Sequence, residues 1–588
     1  MANDLNSLKG EFARVLSVDF EFSVEPGHHP VPSLMCVVDL ISGERRHWRG
    51  EELREMSEAP FPVDRSTLFI CHNASAEMGC FAALGWKKPK RLIDTMIEEK
   101  NRRLGMPNKV RFGLLHCLQG YGLRTRDVAD KDYWRSVGIA GGPTSEEVWA
   151  GFIDYCYRDC DDGAALFLKQ LPNINIHEAC LRGRYACHAA QIEHNGIPVD
   201  VPLFNHMKNR WPTFRHRLID EVNPRYGVYV DGSFSYHQFQ RYLKETNTPW
   251  PRLFSGQLDM RDETFRNMVK AYNHLAPLRE LRHTLSNLNL FESIAIGPDG
   301  RSRTDIRTFA SRTSRNQPSS AKYLFGAARA IRSLLQPKPG HVLAYLDYSS
   351  QEWAIGAALS GDANMMQAYL SGDVYLEFAR QAGAVPAGAT KATHPVERAL
   401  FKAAALAVQY GMGRYGLSAR IGGDRAAATE LLLLHRIMYA DFWRWVEMCV
   451  DTAYYTGRYR TCFGWHLNLP PADEFGVPRA NPRSVQNFPC QAHGAEMLRL
   501  AVIYLMEAGI EVVAPVHDAV LIHVPLEGYR ESIDQSKRLM REASGVVMGG
   551  FECRVDEDVV VYPNHYSDPA GADFWQLLLK LAGPVPGR

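Results

Sequence analysis

The run Val342-Leu343-Ala344-Tyr345-Leu346 is continuously apolar, which predicts a buried strand, and it delivers Asp347 at its end. Ser349 to Glu352 fits the S-x-x-E capping box. Trp353, Ala354, Ile355, Ala357, Ala358 and Leu359 continue as a helix up to Gly361. A carboxylate at a strand end beside a helix N-terminus suits cations and phosphates. An ordinary strand, turn and helix capped by the same residues fits this segment taken alone.

Alternation marks a second strand. From Val15 to Phe22, Val18, Phe20 and Phe22 share one face, while Asp19 and Glu21 share the other. Two carboxylates at i and i+2 project side by side, and in a partly buried site their repulsion calls for a divalent cation. Hard oxygen ligands select Mg2+ or Mn2+. The same D-x-E on an edge strand facing water needs no ion. Leu68 to Asn73 reads as a short buried strand carrying His72 near its end, with Glu77 at the following helix start. Tyr155 and Asp159 fall at i and i+4 on one helical face.

Further along, Tyr185, Ala189, Ile192 and Glu193 keep helical spacing until Gly196 and then Pro198 stop the helix. Residues 200–295 are mostly helical by pattern, with Leu275, Leu278, Leu281 and Leu285 interspersed with Arg279, Arg282 and His283. A basic amphipathic surface and an ordinary packed helix pair both fit them. Arg398, Lys402, Leu406 and Tyr410 recur every four residues, and at about 100° per residue they span an arc of about 120° on one helix face. Ala403, Ala404, Ala405 and Ala407 keep the rest of that helix slim. Two cations one turn apart repel mildly unless a polyphosphate neutralises them. Two β-rich arms, 510–516 and 519–524, meet at His517-Asp518, so a hairpin would lift Asp518 at its tip.

Composition narrows the picture. With 46% hydrophobic and 23% charged residues over 588 positions, the chain fits a globular protein of about three or four domains. A formal net charge of +1 means that nucleic-acid binding has to come from local clustering. Such a cluster lies in Arg301, Arg303, Arg307, Arg312, Arg315, Lys322, Arg329, Arg332 and Lys338, against the acid Asp305, and it favours a phosphate-tracking surface. The twelve Cys have no C-x-x-C and no Cys/His metal spacing, which suits reduced thiols in a cytoplasmic compartment and no structural zinc. Charges at Asp4, Lys9, Glu11 and Arg14, and the lack of any run of about 18 apolar residues, support neither a signal peptide nor a membrane span.

Taken in order, these segments resemble the family A DNA polymerases. Asp347 to Glu352 is similar to motif A. R-x3-K-x7-Y-G at Arg398, Lys402, Tyr410 and Gly411 is similar to motif B, and His517-Asp518 to motif C, where Ala519 stands at a position usually held by Glu. Asp19-x-Glu21, His72-Asn73 with Glu77, Asp94-Thr95 and Tyr155-x3-Asp159 resemble the DEDDy 3′→5′ proofreading exonucleases, with Glu77 where that family has Asp. The resemblance implies an α/β multidomain fold in which a ribonuclease H-like exonuclease domain at 1–175 precedes a right-hand polymerase. A linker and thumb occupy 176–300, the first part of the palm 301–355, the fingers 356–445 and the second part of the palm 446–588.

The implied activity is template-directed extension of a primer 3′ end by two-metal phosphoryl transfer, with proofreading, in a bacteriophage replicase. By resemblance, Asp347 and Asp518 hold two Mg2+ ions, for which Mn2+ can substitute, and the Tyr348 carbonyl adds a ligand. Arg398 and Lys402 hold the β- and γ-phosphates, and Lys402 protonates the pyrophosphate. Tyr410 stacks near the templating position, Glu352 excludes a 2′-hydroxyl, and Leu406 lies beside the sugar, where the family usually carries Phe or Tyr. Arg312, in a segment similar to the family's R-L-S-S, joins Gln491 and His517 at the primer terminus, while Arg483, Asn487 and Gln491 contact template and primer.

In the exonuclease, the resemblance has Asp19, Glu21, Glu77 and Asp159 hold two metals and Tyr155 orient the attacking water. Glu77 implies either an adjusted site or a weaker second metal, and an inactive exonuclease-like domain is the alternative. The implied partners are primer-template DNA, deoxynucleoside triphosphates and replisome proteins such as a helicase, a primase and a processivity factor. They would meet a monomer in the host cytoplasm. A single-subunit RNA polymerase shares motif B and the two aspartates, but that group lacks a proofreading domain and places no Glu at the position of Glu352.

Overall fold

The computed structural model describes residues 4–106, 111–125, 127–288, 290–326, 329–409, 411–472 and 480–585. The chain forms two compact units. The first comprises Met1–Gly196, Ile306–Gln317 and Gly340–Val559, and the second Ile197–Asp305, Pro318–Pro339 and Val560–Arg588.

In the first unit a five-stranded sheet is built around Arg14–Ser23, which pairs antiparallel with Val31–Asp39 and parallel with Thr67–Cys71. Arg45–Arg49 and Leu92–Asp94 form the two edges. Asp19 and Glu21 therefore lie on the central strand, whose Val15, Leu16, Val18 and Phe20 are buried. Helices Ser75–Ala83 and Glu146–Gln170 pack against it. Helix Ile176–Asn195 ends, as its spacing predicts, at Gly196 with φ 65°. The family resemblance places this helix in the linker and thumb; by its contacts it falls in the first unit, packing on Ser75–Ala83, Leu92–Asp94, Pro482–Glu507 and Val512–Val516.

The other sheet of this unit runs in the order Val512–Val516, Ala519–Pro525, His341–Tyr348 and Val555–Val561. Val342, Leu343, Ala344 and Leu346 are buried, as a continuous apolar run requires. Helices Gln351–Ser360, Pro395–Gln409, Arg425–Met438 and Ala440–Thr456 follow in the chain. The expected capping box does not form. The helix begins one residue later, its N-cap Ser350 is left-handed (φ 51°) without a side-chain cap, and the Ser349 hydroxyl donates instead to Asp556 Oδ2 at 2.6 Å.

The second unit is mainly helical, with Val201–Val222, Tyr236–Glu245, Asp262–Ala271, Ala276–Leu288 and Ala572–Ala582. Leu275, Leu278, Leu281 and Leu285 are buried there. Arg282 does not contribute to a basic face: its guanidinium lies 4.3 Å from the ring centroids of both Phe234 and Phe265. The basic run 301–338 is also divided, between the two units. Several of its members are engaged in ion pairs rather than held out for phosphates: Arg303 with Asp299 (2.6 Å), Arg332 with Asp568 (2.9 Å) and Arg315 with Glu352 (3.1 Å). Among the described residues no helix is long and apolar enough to cross a membrane.

Candidate active sites

Antiparallel pairing sets Asp347 opposite Ala519, and the Tyr348 N–H donates to the Asp518 carbonyl at 3.3 Å. Two aspartates far apart in sequence are thereby neighbours. Asp518 sits in a tight turn after His517, whose φ of 54° is rare for a side-chain-bearing residue. Asp347 Oδ1 is buried without a hydrogen-bond partner. Burial, then Asp518 and Asp556, push the Asp347 carboxyl up to about 7, and burial raises Asp518 against the opposing pull of Arg315 and His517. An orphaned carboxylate oxygen beside a second carboxylate fits a hard divalent cation. The Tyr348 side chain is buried and its hydroxyl donates to the Met540 carbonyl at 2.6 Å, so any part it takes at the site falls to its backbone.

Helix Pro395–Gln409 carries Arg398 and Lys402 on one face, as the spacing predicts. Both cations already have company from the turn that precedes helix Val374–Gln381 and from its first residues. Arg398 is ion-paired with Asp373, and the Tyr375 ring lies 5.5 Å from the Arg398 guanidinium and 5.4 Å from Lys402 Nζ. Leu406 is half-buried on the same helix. Tyr410 lies outside the described residues. Gly411 (φ 60°) follows, and a Cβ there would come 3.2 Å from the Asn487 amide and 3.3 Å from Arg483 Cβ. Only glycine lets the chain pass so close to helix Pro482–Glu507, on which Arg483, Asn487 and Gln491 recur every four residues. Arg312 and His517 are exposed.

Around the central strand, Asp19, Glu21 and Asp159 bring ligand oxygens within 4.8 Å of one another. Glu77 stands outside that group. It is buried, its Oε2 has no hydrogen-bond partner, and burial followed by the Asp19 charge pushes it well up. Burial, Asp19 and Asp159 push Glu21 up to about 9, the expected penalty for crowding like charges. The oxygens fit a divalent ion by donor type. Tyr155 is buried above Asp159 in the same helix, and burial followed by the Asp159 charge raises its phenol. Asp94, part of the ordered motif series but not of the implied metal ligands, shapes the backbone. It accepts from the N–H groups of Asn73, Ala74, Met96 and Ile97 and so fixes the turn after the His72 strand.

Several residues of these sites were not picked out from the sequence. Lys131 reaches Asp159 Oδ1 at 3.0 Å from helix Val128–Ile139, and the Cys156 thiol donates to Asp19 Oδ2 at 3.3 Å. Gly138 lets the same helix approach, since a Cβ would lie 2.9 Å from Glu21 Oε2. Asp556, Asp373, Tyr375 and the partner of Glu352 are likewise new. No periodicity marks them: along Val555–Val561, for example, buried and exposed positions do not alternate.

Residues 303–559 match the model of DNA polymerase family A. The chain is 28% identical over 220 residues to the thermostable DNA polymerase I of Thermus caldophilus, covering 36% of this chain and 26% of that protein. It is 27% identical over 313 residues to the DNA polymerase of Mycobacterium phage D29, covering 51% and 50%. The chain thus spans about a quarter of the length of the Thermus polymerase. Its fold is similar to that of the POL domain of Pol1 from M. smegmatis, solved in complex with DNA primer-template and dNTP, with a TM-score of 0.68 at 18% identity over 94% of this chain and 97% of the other. The α/β polymerase fold expected from the sequence is therefore borne out.

Proposed function

We propose that the chain, whose residues 303–559 match the model of DNA polymerase family A, adds deoxynucleotides to a primer 3′ end under the direction of a template. The observation that carries this reading is the strand pairing that sets Asp347 beside Asp518, with one Asp347 oxygen buried and unpaired. Two Mg2+ ions per site, replaceable by Mn2+, would ease deprotonation of the primer 3′-hydroxyl and neutralise the triphosphate.

The rest of the step belongs to the chain. Asp347, Asp518 and the Tyr348 carbonyl would hold the ions. Arg398 exchanges Asp373 for β- and γ-phosphate oxygens, and Lys402 delivers a proton to the oxygen that leaves the α-phosphorus as the 3′-oxygen bonds to it. Tyr410 stacks near the templating base, Leu406 and Glu352 flank the sugar, and Arg312, Gln491 and His517 read the primer terminus. Arg483 and Asn487 complete the contacts to the duplex.

The group of three carboxylates, two on the central strand and Asp159 on the helix packed against it, supports a second activity, 3′→5′ removal of mispaired ends, within a ribonuclease H-like domain. Asp19, Glu21, Asp159 and the more distant Glu77 would hold its ions, and Tyr155 would orient the attacking water. Likeness to a phage polymerase over half of each chain supports a replicative role in a phage, as a monomer in the host cytoplasm served by a helicase, a primase and a processivity factor.

Primer extension on a defined template tests the first reading. Incorporation of deoxynucleotides by the parent, lost in Asp347→Asn, is the expected result. Extension with ribonucleotides alone would point to an RNA polymerase, and no extension with either would overturn the proposal.

A further inference from the structure

Glu352, the residue read as lying under the sugar, is not fixed by a helix cap. Its hydrogen-bond partner is Arg315, whose terminal nitrogen lies 3.1 Å from Glu352 Oε1. Only 26% of the Arg315 side chain and 14% of the Glu352 side chain are exposed, so water competes weakly for the pair. The same guanidinium acts on Asp518, which it pulls down against the upward push of burial. Arg315 thus stands where it feels both the sugar-side carboxylate and one of the aspartates of the reacting centre.

The loop that presents Arg315 is held at almost every residue. The Arg315 N–H donates to Ser311 Oγ at 2.7 Å, and the Ser311 N–H donates back to the Arg315 carbonyl at 3.1 Å. Ser314 adopts φ 61°, and its carbonyl accepts from Arg499 at 2.9 Å; Arg499 is buried and ion-paired with Glu496 at 2.7 Å. The Asn316 amide donates to the Tyr185 hydroxyl at 2.6 Å. A left-handed non-glycine residue persists only where its surroundings over-determine it. This loop has such surroundings, so its arginine is delivered to a fixed place.

We propose that Arg315 is a positioning residue for sugar selection: it holds the Glu352 carboxylate in one orientation, and the strictness with which ribonucleotides are refused depends on that hold. The inference rests on the reading of the Asp347 site as a deoxynucleotide site. A free Glu352 would rotate about its side-chain torsions and make room for a 2′-hydroxyl. With Arg315 attached, the carboxylate is pre-set, and refusing the extra hydroxyl needs no rearrangement.

The test uses the full chain, a primed template and Mg2+. Incorporation efficiency is measured for one deoxynucleotide and its ribonucleotide in the parent, Arg315→Ala, Arg315→Lys, Glu352→Gln, Glu352→Ala and the Glu352→Ala/Arg315→Ala double variant. Arg315→Ala is expected to raise the ribo-to-deoxy ratio on the order of tenfold. Glu352→Gln should do so to a similar extent, and Arg315→Lys less. The double variant should match Glu352→Ala, because the arginine acts through the glutamate.

An unchanged ratio in both Arg315→Ala and Glu352→Gln would overturn the proposal. So would an Arg315→Ala effect that persists in full without Glu352, or an equal loss of both nucleotides, which would make Arg315 a primer contact. If Arg315→Ala does not fold, as judged by its melting curve, Glu352→Gln and Arg315→Lys decide. A parent that incorporates no deoxynucleotide would overturn the functional reading itself, a different failure from discrimination that ignores Arg315.

Discussion

The two carboxylate sites differ in how tightly their charge is packed. Asp19, Glu21 and Asp159 converge within 4.8 Å on a central strand and its packed helix, with the Lys131 ammonium 3.0 Å from Asp159. Asp347 and Asp518 meet at a strand end and a turn, with Arg315 acting on one and Asp556 on the other. Burial first, and neighbouring carboxylates second, push Glu21 up to about 9 and Asp347 up to about 7. At the first site a proton on Glu21, or a bound cation, relieves the repulsion among the three carboxylates. At the second, Arg315 and His517 supply part of the counter-charge to Asp518.

The sharpest way to break this comparison is to disable one site at a time. Asp347→Asn or Asp518→Asn should lower primer extension on the order of 10³-fold or more while single-stranded 3′ ends are still degraded. Asp19→Ala with Glu21→Ala should do the reverse. Proportional loss of both activities in either variant, in assays run side by side on the same preparation, would sink the two-site assignment.

Within the Asp347 site, Lys402→Ala should reduce the single-turnover extension rate by about 10²-fold, with primer-template affinity changed far less, because its charge is needed on the leaving phosphate. Weaker DNA binding at an unaltered rate would relocate Lys402 to the DNA backbone.

A smaller effect separates the sites by pH. Glu21 has a folded value raised from 4.5 to about 9, so the native state holds a proton that the unfolded chain releases. Its contribution to stability is complete below about 4.5 and is lost as pH rises through about 9. In a chelator, melting of the first unit should therefore fall by a few degrees over that window. Mn2+ should restore it most at the alkaline end, and Glu21→Gln should flatten the slope. A melting temperature that rises with pH in chelator would contradict the crowding.

The smallest expected effect concerns Leu406, which has no hydroxyl to replace a missing 3′-hydroxyl. The parent should reject dideoxynucleotides, and Leu406→Tyr should relax that rejection about tenfold. Ready termination by the parent would remove Leu406 from the sugar contact.

What the sequence made legible was whatever a short period encodes. The apolar run before Asp347, the four-residue recurrence from Arg398 to Leu406 and the alternation around Asp19 each fix a face, and a face is what those side chains need. Glu352 illustrates the limit. Its local S-x-x-E pattern was satisfied in letters, yet Ser350 turned left-handed, Ser349 went to Asp556, and the real partner came from a loop with no periodicity. Lys131 and Asp556 were hidden for the same reason, since only tertiary packing brings them to their carboxylates. Arg282 shows packing deciding between two readings that the pattern leaves open: its guanidinium lies over the rings of Phe234 and Phe265, as in a packed helix pair.

The helix Ile176–Asn195 bears on whether the N-terminal region could be cut away or grafted from a relative. Its Arg182 makes a two-pronged pair with Glu98 at 2.7 Å on each prong, while a third nitrogen donates to the Phe463 carbonyl at 3.1 Å. Close by, the Asn101 amide donates to the Gly464 carbonyl and accepts from the His466 N–H. A shortened chain beginning after residue 175 would strand that guanidinium without its acid, a loss of roughly 3–5 kcal/mol for a buried charge. The N-terminal region is therefore no detachable cassette, and a transplant from a relative would have to bring its own equivalents of Glu98 and Asn101 to this seam.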